Sequence, residues 1–521
     1  MIGAGRRAVL ATLLISAALA GCATNERIVI GVDAPTTFYI SPDGADTNPG
    51  TSDQPWRTFA FALPRLSPGS TLVLKDGRYD PSGTGLPAIG CDAGIASGTA
   101  AAPITLRAAN ERAALLDSDG RIPALFMQGC SYWIVEGLRG RSVDQAGAAT
   151  VADAGSVFAL GHDNHQIVLR RLLASHPNRY LHSHGVRVGE SSSDVLVEEC
   201  EVYDYHQNAF ETVRSSNVTF RRNYAHSRGA ADVAGGFNSE DPARGDVGVL
   251  FEETRFGLAE NNVVESTQTG VRVMGRSSTV ASSVPALAPN PVTGNRVLGN
   301  VVLSAFEAGY RVDSRCMSQS PCTEQTRIVV DTELIDNVAV GGPAGVASSG
   351  GIKTRISQFT AVGAEIGIAM AVTAVNAGYA NDSMITNALV FGYTTAGFRT
   401  SGESVWSFDH CAAAGGSGPA FDPMDVHVVG AVAADPVLGA CLVNLPAASP
   451  MRRAGVGGAD IGANVVTRYQ GGLPTSVNLW DPATGAFPCG AIVAGVNDDP
   501  TQSCSGVHQR LHVGAAGCPL P

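Results

Sequence analysis

One short unit occurs nearly twice within residues 183–228. Val195-Leu-Val-Glu-Glu-Cys200 returns 23 residues later as Val218-Thr-Phe-Arg-Arg-Asn223, and Gly185-Val-Arg187-Val returns 24 residues later as Ala209-Phe-Glu211-Thr. A period of this length is one coil of a parallel β-solenoid, whose units bury a core only when stacked. Such a stack also explains how 521 residues form one body, since a solenoid grows without enlarging its cross-section. Only 16% of residues are charged and 61 are glycine, which suits short strands joined by tight turns.

From 131 to 415 the coils align on the unit apolar–x–apolar–x–x–N–x–apolar. Its sixth position runs Gly137, Leu172, Cys200, Asn223, Asn262, Asn300, Asn337, Thr360, Asn387, Cys411. An inward asparagine repeated at one turn predicts a ladder of side-chain amides bonding from coil to coil. Insertions are expected near 239–252, 276–294 and 314–326, where long turns can wall a binding face.

A second column reads small–apolar–x–apolar: Gly185-Val-Arg187-Val, Ala209-Phe-Glu211-Thr, Gly236-Phe-Asn238-Ser, Gly270-Val-Arg272-Val, Gly309-Tyr-Arg311-Val, then two coils with Ala347 and Ala369, and Gly397-Phe-Arg399-Thr. On a strand the flanking apolar residues point inward and x points out. Arg187, Glu211, Asn238, Arg272 and Arg311 are therefore expected on an outer face left open by the small residues. Outward charges also occur simply as a solvated face, each contributing little. Clustering in the middle coils, with alanine beyond, favours a cationic strip suited to planar carboxylates of an acidic polysaccharide. His182, His184 and His206 fall on adjoining coils near Tyr203 and Tyr205. They are candidates for a base and an acid, or for turn histidines bonded to backbone or water. Paired carboxylates for glycoside hydrolysis reduce to Glu211 with Asp232 or Glu240.

The first coil carries a resemblance. Residues 37–79 read TTFYISPDGADTNPGTSDQPWRTFAFALPRLSPGSTLVLKDGRY from Thr36 on: a strand, a Gly/Pro/Asp turn cluster, apolar residues at helical spacing over Trp56–Leu66, a Pro68-Gly69 break and a strand at Thr71–Leu74. This string resembles the N-terminal cap and first coil of bacterial right-handed β-helix proteins, including family-nine pectate lyases. The segment 435–466 resembles their closing coil. The resemblance implies an all-β, single-stranded right-handed parallel β-helix over 37–466 with an N-terminal helical cap, leaving 467–521 as a Cys-containing tail. It also implies a lyase base at the position of Arg272, and calcium held on the coils of Asn208 and 235–238. In this chain Glu211, Asp232 and Glu240 are the acids near enough in sequence to join Asn208 in such a site. Uronate β-elimination needs a cation or arginine at the carboxylate, a base for the adjacent proton and an acid for the leaving oxygen. Arg272, Arg311 and Glu211 are the candidate catalytic residues; Arg187, Asn238 and His206 are the candidate substrate contacts.

Residues 1–22 read as a targeting segment: Arg6 and Arg7, the apolar run Ala8–Ala20, then Leu19-Ala20-Gly21-Cys22. The ending looks like a bacterial lipobox, implying lipidation of Cys22, with 23–36 as a tether. The chain is thus expected at a bacterial cell envelope, membrane-bound through lipid alone, or extracellular, and as a monomer. Export permits disulfides. The expected pairs are Cys316–Cys322, Cys91–Cys130, Cys411–Cys441 and one among Cys489, Cys504 and Cys518, with Cys200 a buried thiol. A net charge of −12 argues against general nucleic-acid binding. The sequence therefore points to an acidic-polysaccharide protein, a lyase if an enzyme, with a glycoside hydrolase or a non-catalytic glycan-binding or structural surface protein as alternatives.

Overall fold

A computed structural model describes residues 36–143, 155–175, 184–205, 207–227, 246–276, 292–315, 329–371, 383–401, 407–423, 427–515 and 518. The chain winds through three long parallel sheets. Sheet A has 14 strands, from Thr37–Ile40 to His427–Val429. Sheet B has 12, from Gly77–Tyr79 to Ala412–Ala414, and sheet C has 12, from Ala88–Gly90 to Phe421–Asp422. After the first strand of sheet A, which the N-terminal cap joins directly to its neighbour Thr71–Leu74, the coils visit A, then B, then C, so strands pair with their counterparts one coil earlier and later. This is the expected parallel β-helix.

The repeat works because inward residues meet their copies in the next coil. Val195 sits opposite Val218 and Val197 opposite Phe220. Phe210, Phe220 and Phe251 stack through the interior with ring centroids 5.9 and 5.6 Å apart. The predicted N-terminal helix is shorter than the apolar spacing suggests. Thr58 caps one α-turn, Phe59–Ala62, and Pro64 tightens the continuation into a 3-10 turn, Leu63–Arg65. Phe59, Ala62 and Leu63 seal the first coil.

Only two residues separate sheets A and B in these coils, as between Ser193–Glu198 and Glu201–Tyr203. The first adopts a left-handed conformation: Arg171, Glu199, Arg222, Asn261, Asp336 and His410 all have positive φ. Such a conformation costs a non-glycine residue about 1–2 kcal/mol. The second residue points inward and offsets that cost through the ladder. Asn262 Oδ1 accepts from the Asn223 backbone N–H (3.0 Å) and Nδ2 (3.0 Å), while Asn262 Nδ2 donates to Phe220 O (2.9 Å) and Asn300 Oδ1 (2.9 Å). Asn300 and Asn337 continue the pattern. Three positions of the sequence alignment are off by one. Leu138, Phe359 and Ala388 occupy the inward place, while Gly137 and Asn387 hold the left-handed place before it and Thr360 opens the next strand. Asn262→Ala is expected to lower stability by about 1–3 kcal/mol, since it orphans buried donors and acceptors on both sides. An unchanged denaturant midpoint would remove the ladder from the account of stability.

The small-residue column does not open the outer face. It turns the corner from sheet B into sheet C. A Cβ on Gly270 would lie 2.4 Å from Gly309 O and 2.5 Å from Val302 Cγ1, so the corner admits nothing larger without displacement. The unit expected at Gly236-Phe-Asn238-Ser is also displaced. The strand is Val247–Glu252, inside the stretch read as an insertion, and Leu250 faces Glu211 on one side and Arg272 on the other. The column position is therefore Leu250. Both stretches fit the pattern, but Val249 and Phe251 are the residues that fill the core. Asn238 lies outside the described residues.

Residues 435–466, read as a closing coil, add no strand. They turn back and run along the outer face of sheet B. Val456 N–H bonds Asn387 Oδ1 (2.8 Å), Ala463 N–H bonds Thr360 Oγ1 (2.8 Å), and Tyr469 N–H bonds Asn261 Oδ1 (2.5 Å). Further along, Leu479, Trp480, Phe487, Val507 and Leu511 pack on Tyr224, Val263, Val301 and Val338, which are outward residues of sheet B. The tail is thus a strap running antiparallel to the direction of coil growth. Buried Asp336, which accepts from Asn464 N–H beneath it, has its pKa pushed up to about 6 by burial.

Disulfides join Cys91 to Cys130, Cys489 to Cys504 and Cys441 to Cys518. The first two agree with expectation. Cys441 reaches the strap's end instead of Cys411, because Cys411 points into the helix, where it and Cys200 are buried free thiols. Burial raises both thiols to about 12, so neither is a reactive thiolate. Cys316 and Cys322 lie outside the described residues. Among the described residues no helix is long and apolar enough to cross a membrane.

Candidate active site on the outer face of sheet C

With sheet B covered by the strap, sheet C presents the column of interest. Its outward positions run Arg187, Glu211, Leu250, Arg272, Arg311, Ala347, Ala369 and Arg399 in consecutive register. Two ion clusters form on it, separated by the Leu250 coil.

The first cluster is centred on Glu211. Its Oε2 lies 3.0 Å from His184 Nε2 and 3.2 Å from Arg187 Nε, and its Oε1 accepts from Asn208 Nδ2 at 3.2 Å. Asn208 Nδ2 also lies 3.4 Å from His184 Nδ1. A proton on Nε2 suits these contacts: that nitrogen donates to the carboxylate, and Nδ1 keeps its lone pair. His184 and Glu211 are both buried, and Arg187 is half-buried.

The second cluster is centred on Asp313, two residues beyond Arg311 on the same strand face. Arg272 donates from Nε to Oδ1 (3.0 Å) and from Nη2 to Oδ2 (2.6 Å), a bidentate pair. Arg311 Nε lies 3.4 Å from the same Oδ2, and its Nη1 pairs with Glu307. Burial is the largest influence on Arg272 and by itself would lower its pKa. The hydrogen bonds and charge of Asp313 more than reverse this, so the guanidinium is held above its ordinary range. Arg272 is therefore a fixed cation and is unsuited to act as a base. Beside it Val247, Leu250 and Met274 form a small buried apolar cluster.

The sequence reading brought Arg187, Glu211, Arg272 and Arg311 to one face, and they are there. It missed Asp313, and with it the neutralisation of the strip: each arginine of the two clusters contacts a carboxylate. His206, Asp232, Asn238, Glu240, His182 and Cys22 lie outside the described residues. Tyr205 points into the core and Tyr203 is buried at sheet B, so neither faces the column. Calcium requires six to eight oxygen ligands. Of the residues expected to hold it, Asn208 donates Nδ2 to Glu211 Oε1, and Asp232 and Glu240 lie outside the described residues. Among the described residues no group of three or more His, Cys, Asp or Glu is arranged to hold a metal.

The coiled sheets and their ladders define a right-handed parallel β-helix protein. The family model described as "Right handed beta helix region" matches residues 175–342. The chain is 35% identical over 82 residues, 16% of its length, to pectate lyase PEL9 of Emericella nidulans, and spans 18% of that relative. A solved rhamnogalacturonan lyase is 14% identical with a TM-score of 0.46, over 78% of this chain and 90% of that one. Pectate lyase Pel9A is 15% identical with a TM-score of 0.39, over 83% and 96%.

Proposed function

We propose that the chain is a bacterial envelope lipoprotein, anchored through Cys22, that engages uronic-acid polysaccharide and cleaves it by β-elimination. The observation carrying this reading is the Glu211-centred cluster, which combines on the outward face of sheet C a cation, a histidine and the carboxylate that orients it. In this scheme Arg187 neutralises the sugar carboxylate and so acidifies the neighbouring C–H. Glu211 holds His184 through Nε2–H; once substrate displaces the long Asn208 Nδ2 contact (3.4 Å), His184 Nδ1 takes the C–H proton, the C–O bond to the leaving sugar breaks as the C=C bond forms, and the imidazolium returns that proton to the leaving oxygen. Arg272 and Arg311 lie two and three coils from Glu211, about 10 and 14 Å at the spacing of adjacent strands. They act as a separate grip for a carboxylate further along the chain. The likeness to a pectate lyase over part of the sequence supports the substrate class.

The competing reading is a non-catalytic glycan-binding or structural surface protein. It is favoured by the closure of both clusters, in which every cation already has an anion. One assay separates the two: ultraviolet absorbance of new unsaturated uronates on pectate, alginate and glycosaminoglycans, with and without calcium. Cleavage of one of these is expected, and His184→Gln is expected to reduce turnover by about 10²–10⁴, the usual worth of a positioned base. No absorbance on any of them would hand the argument to the non-catalytic class.

A further inference from the structure

The ridge between sheets C and A repeats one left-handed residue per coil. In register it reads Tyr132, Gln166, Asp194, Asn217, Phe256, Gly294, Asp331 and Lys353, all with positive φ. Backbone hydrogen bonds align them, as from Tyr132 N–H to His165 O, Gln166 N–H to Ser193 O, Asn217 N–H to Arg255 O and Phe256 N–H to Thr293 O. Glycine and short polar residues suit this conformation; a bulky aromatic there is an outlier. Phe256 is nevertheless 53% exposed, so burial does not repay its backbone strain. Its ring reaches over the next coil, where a Cβ on Gly294 would lie 2.6 Å from Phe256 Cδ1, so the glycine makes room for it. Tyr132, the second aromatic of the column, is four coils away, about 19 Å at the usual strand spacing.

Between the two aromatics the ridge is exposed and polar: Gln166, Asp194 and Asn217. Asp194 is held in place, accepting from Asn217 Nδ2 (3.2 Å) and Ser193 Oγ (2.8 Å). Strain kept at an exposed position points to function. Aromatic faces at either end, with amides and an oriented carboxylate between, match a sugar chain: apolar C–H faces to stack, hydroxyls to donate and accept. A carboxylate at the centre repels a polyanion. We propose that this ridge is a second glycan site, which binds a neutral polysaccharide lying along the helix axis, with Phe256 and Tyr132 as stacking platforms. It is independent of the uronate site on sheet C.

The test is affinity electrophoresis of the full chain through gels containing soluble xylan, galactan or glucomannan. Retardation by at least one of them is expected. Phe256→Gly and Tyr132→Gly keep the left-handed backbone available, so the unfolding midpoint should hold while each raises the dissociation constant about tenfold. The charge-free double variant Arg272→Met/Asp313→Leu, which keeps the buried pair from being broken on one side, should leave this binding unchanged, which separates the ridge from the sheet C reading. No retardation by any neutral glycan, or retardation that survives the double variant, would overturn the proposal. So would loss of binding only to pectate in the Phe256 variant, since the ridge would then belong to the uronate site.

Discussion

Arg272→Ala is expected to damage the fold and the proposed activity together, and the double variant Arg272→Met/Asp313→Leu to damage only the activity. The single change removes the bidentate partner of Asp313, which is 1% exposed and lies 3.4 Å from Arg311 Nε. Breaking a buried pair from one side costs about 3–5 kcal/mol, whereas replacing both partners by apolar residues of similar volume is often neutral. Met274 and Leu250 already provide an apolar surround in which such residues can pack. The double variant should therefore recover most of the denaturant midpoint while losing the cation. If Arg272 grips a uronate, the double variant still loses about 2–5 kcal/mol of binding to an acidic glycan, and the wild-type affinity falls as salt rises. Arg399 pairs with Asp422 beyond the alanine coils and is about one-third exposed. Its replacement by alanine should change either measurement little. A double variant that regains stability and binds acidic glycan as the wild type does would reduce the second cluster to a structural ion pair.

What could be read in advance follows from what repeats. Inward apolar residues and ladder asparagines recur because each coil presents the same environment to the next, so Asn223, Asn262, Asn300 and Asn337 were visible as a column. The one-residue slip at Gly137 and Asn387 arises because two adjacent turn positions both accept such residues: one needs a left-handed backbone, the next an inward amide. The coil at Leu250 was obscured because small–apolar–x–apolar occurs at both Gly236 and Gly248, twelve residues apart. Only burial of Val249 and Phe251 chooses between them. Asp313 lies one place beyond the small–apolar–x–apolar unit and so outside its pattern, although strand alternation alone places Arg311 and Asp313 on one face, beside Arg272 of the preceding coil. The path of the strap had no periodic signal. Its contacts join residues hundreds of positions apart, and an aperiodic segment gives a sequence pattern nothing to register against.

The strap supplies the second large effect, because it is pinned to the helix through a buried charge. Arg112 is fully buried. Its Nη1 donates to Glu201 Oε2 (2.8 Å) and to Ala491 O (3.0 Å). Asn497 Nδ2 donates to the same Glu201 oxygen (2.6 Å), and Ala491 N–H to Glu111 Oε1 (2.8 Å). A Cβ on Gly490 would fall 2.6 Å from Arg112 Cζ, so the strap's backbone lies directly on the guanidinium. Arg112→Ala leaves Glu201 as a buried carboxylate facing an amide, and about 3–5 kcal/mol of local stability should be lost. Contacts in a solenoid are confined to neighbours, so the loss need not appear as one global transition. It should appear first as accelerated amide exchange and proteolytic cleavage within 489–515, while the ladder amides of Asn262 and Asn300 stay protected. A second pin, Arg510 on Glu265 Oε1 (3.0 Å) and Oε2 (2.7 Å), keeps the released segment tethered, and the Cys489–Cys504 disulfide closes residues 489–504 into a loop. Glu201→Gln keeps the volume and an acceptor but removes the charge from Arg112, and is expected to loosen the same segment. Uniform destabilisation of all three sheets, with no selective opening of the strap, would mean that Arg112 supports the helix itself and that the strap is held by its apolar face alone.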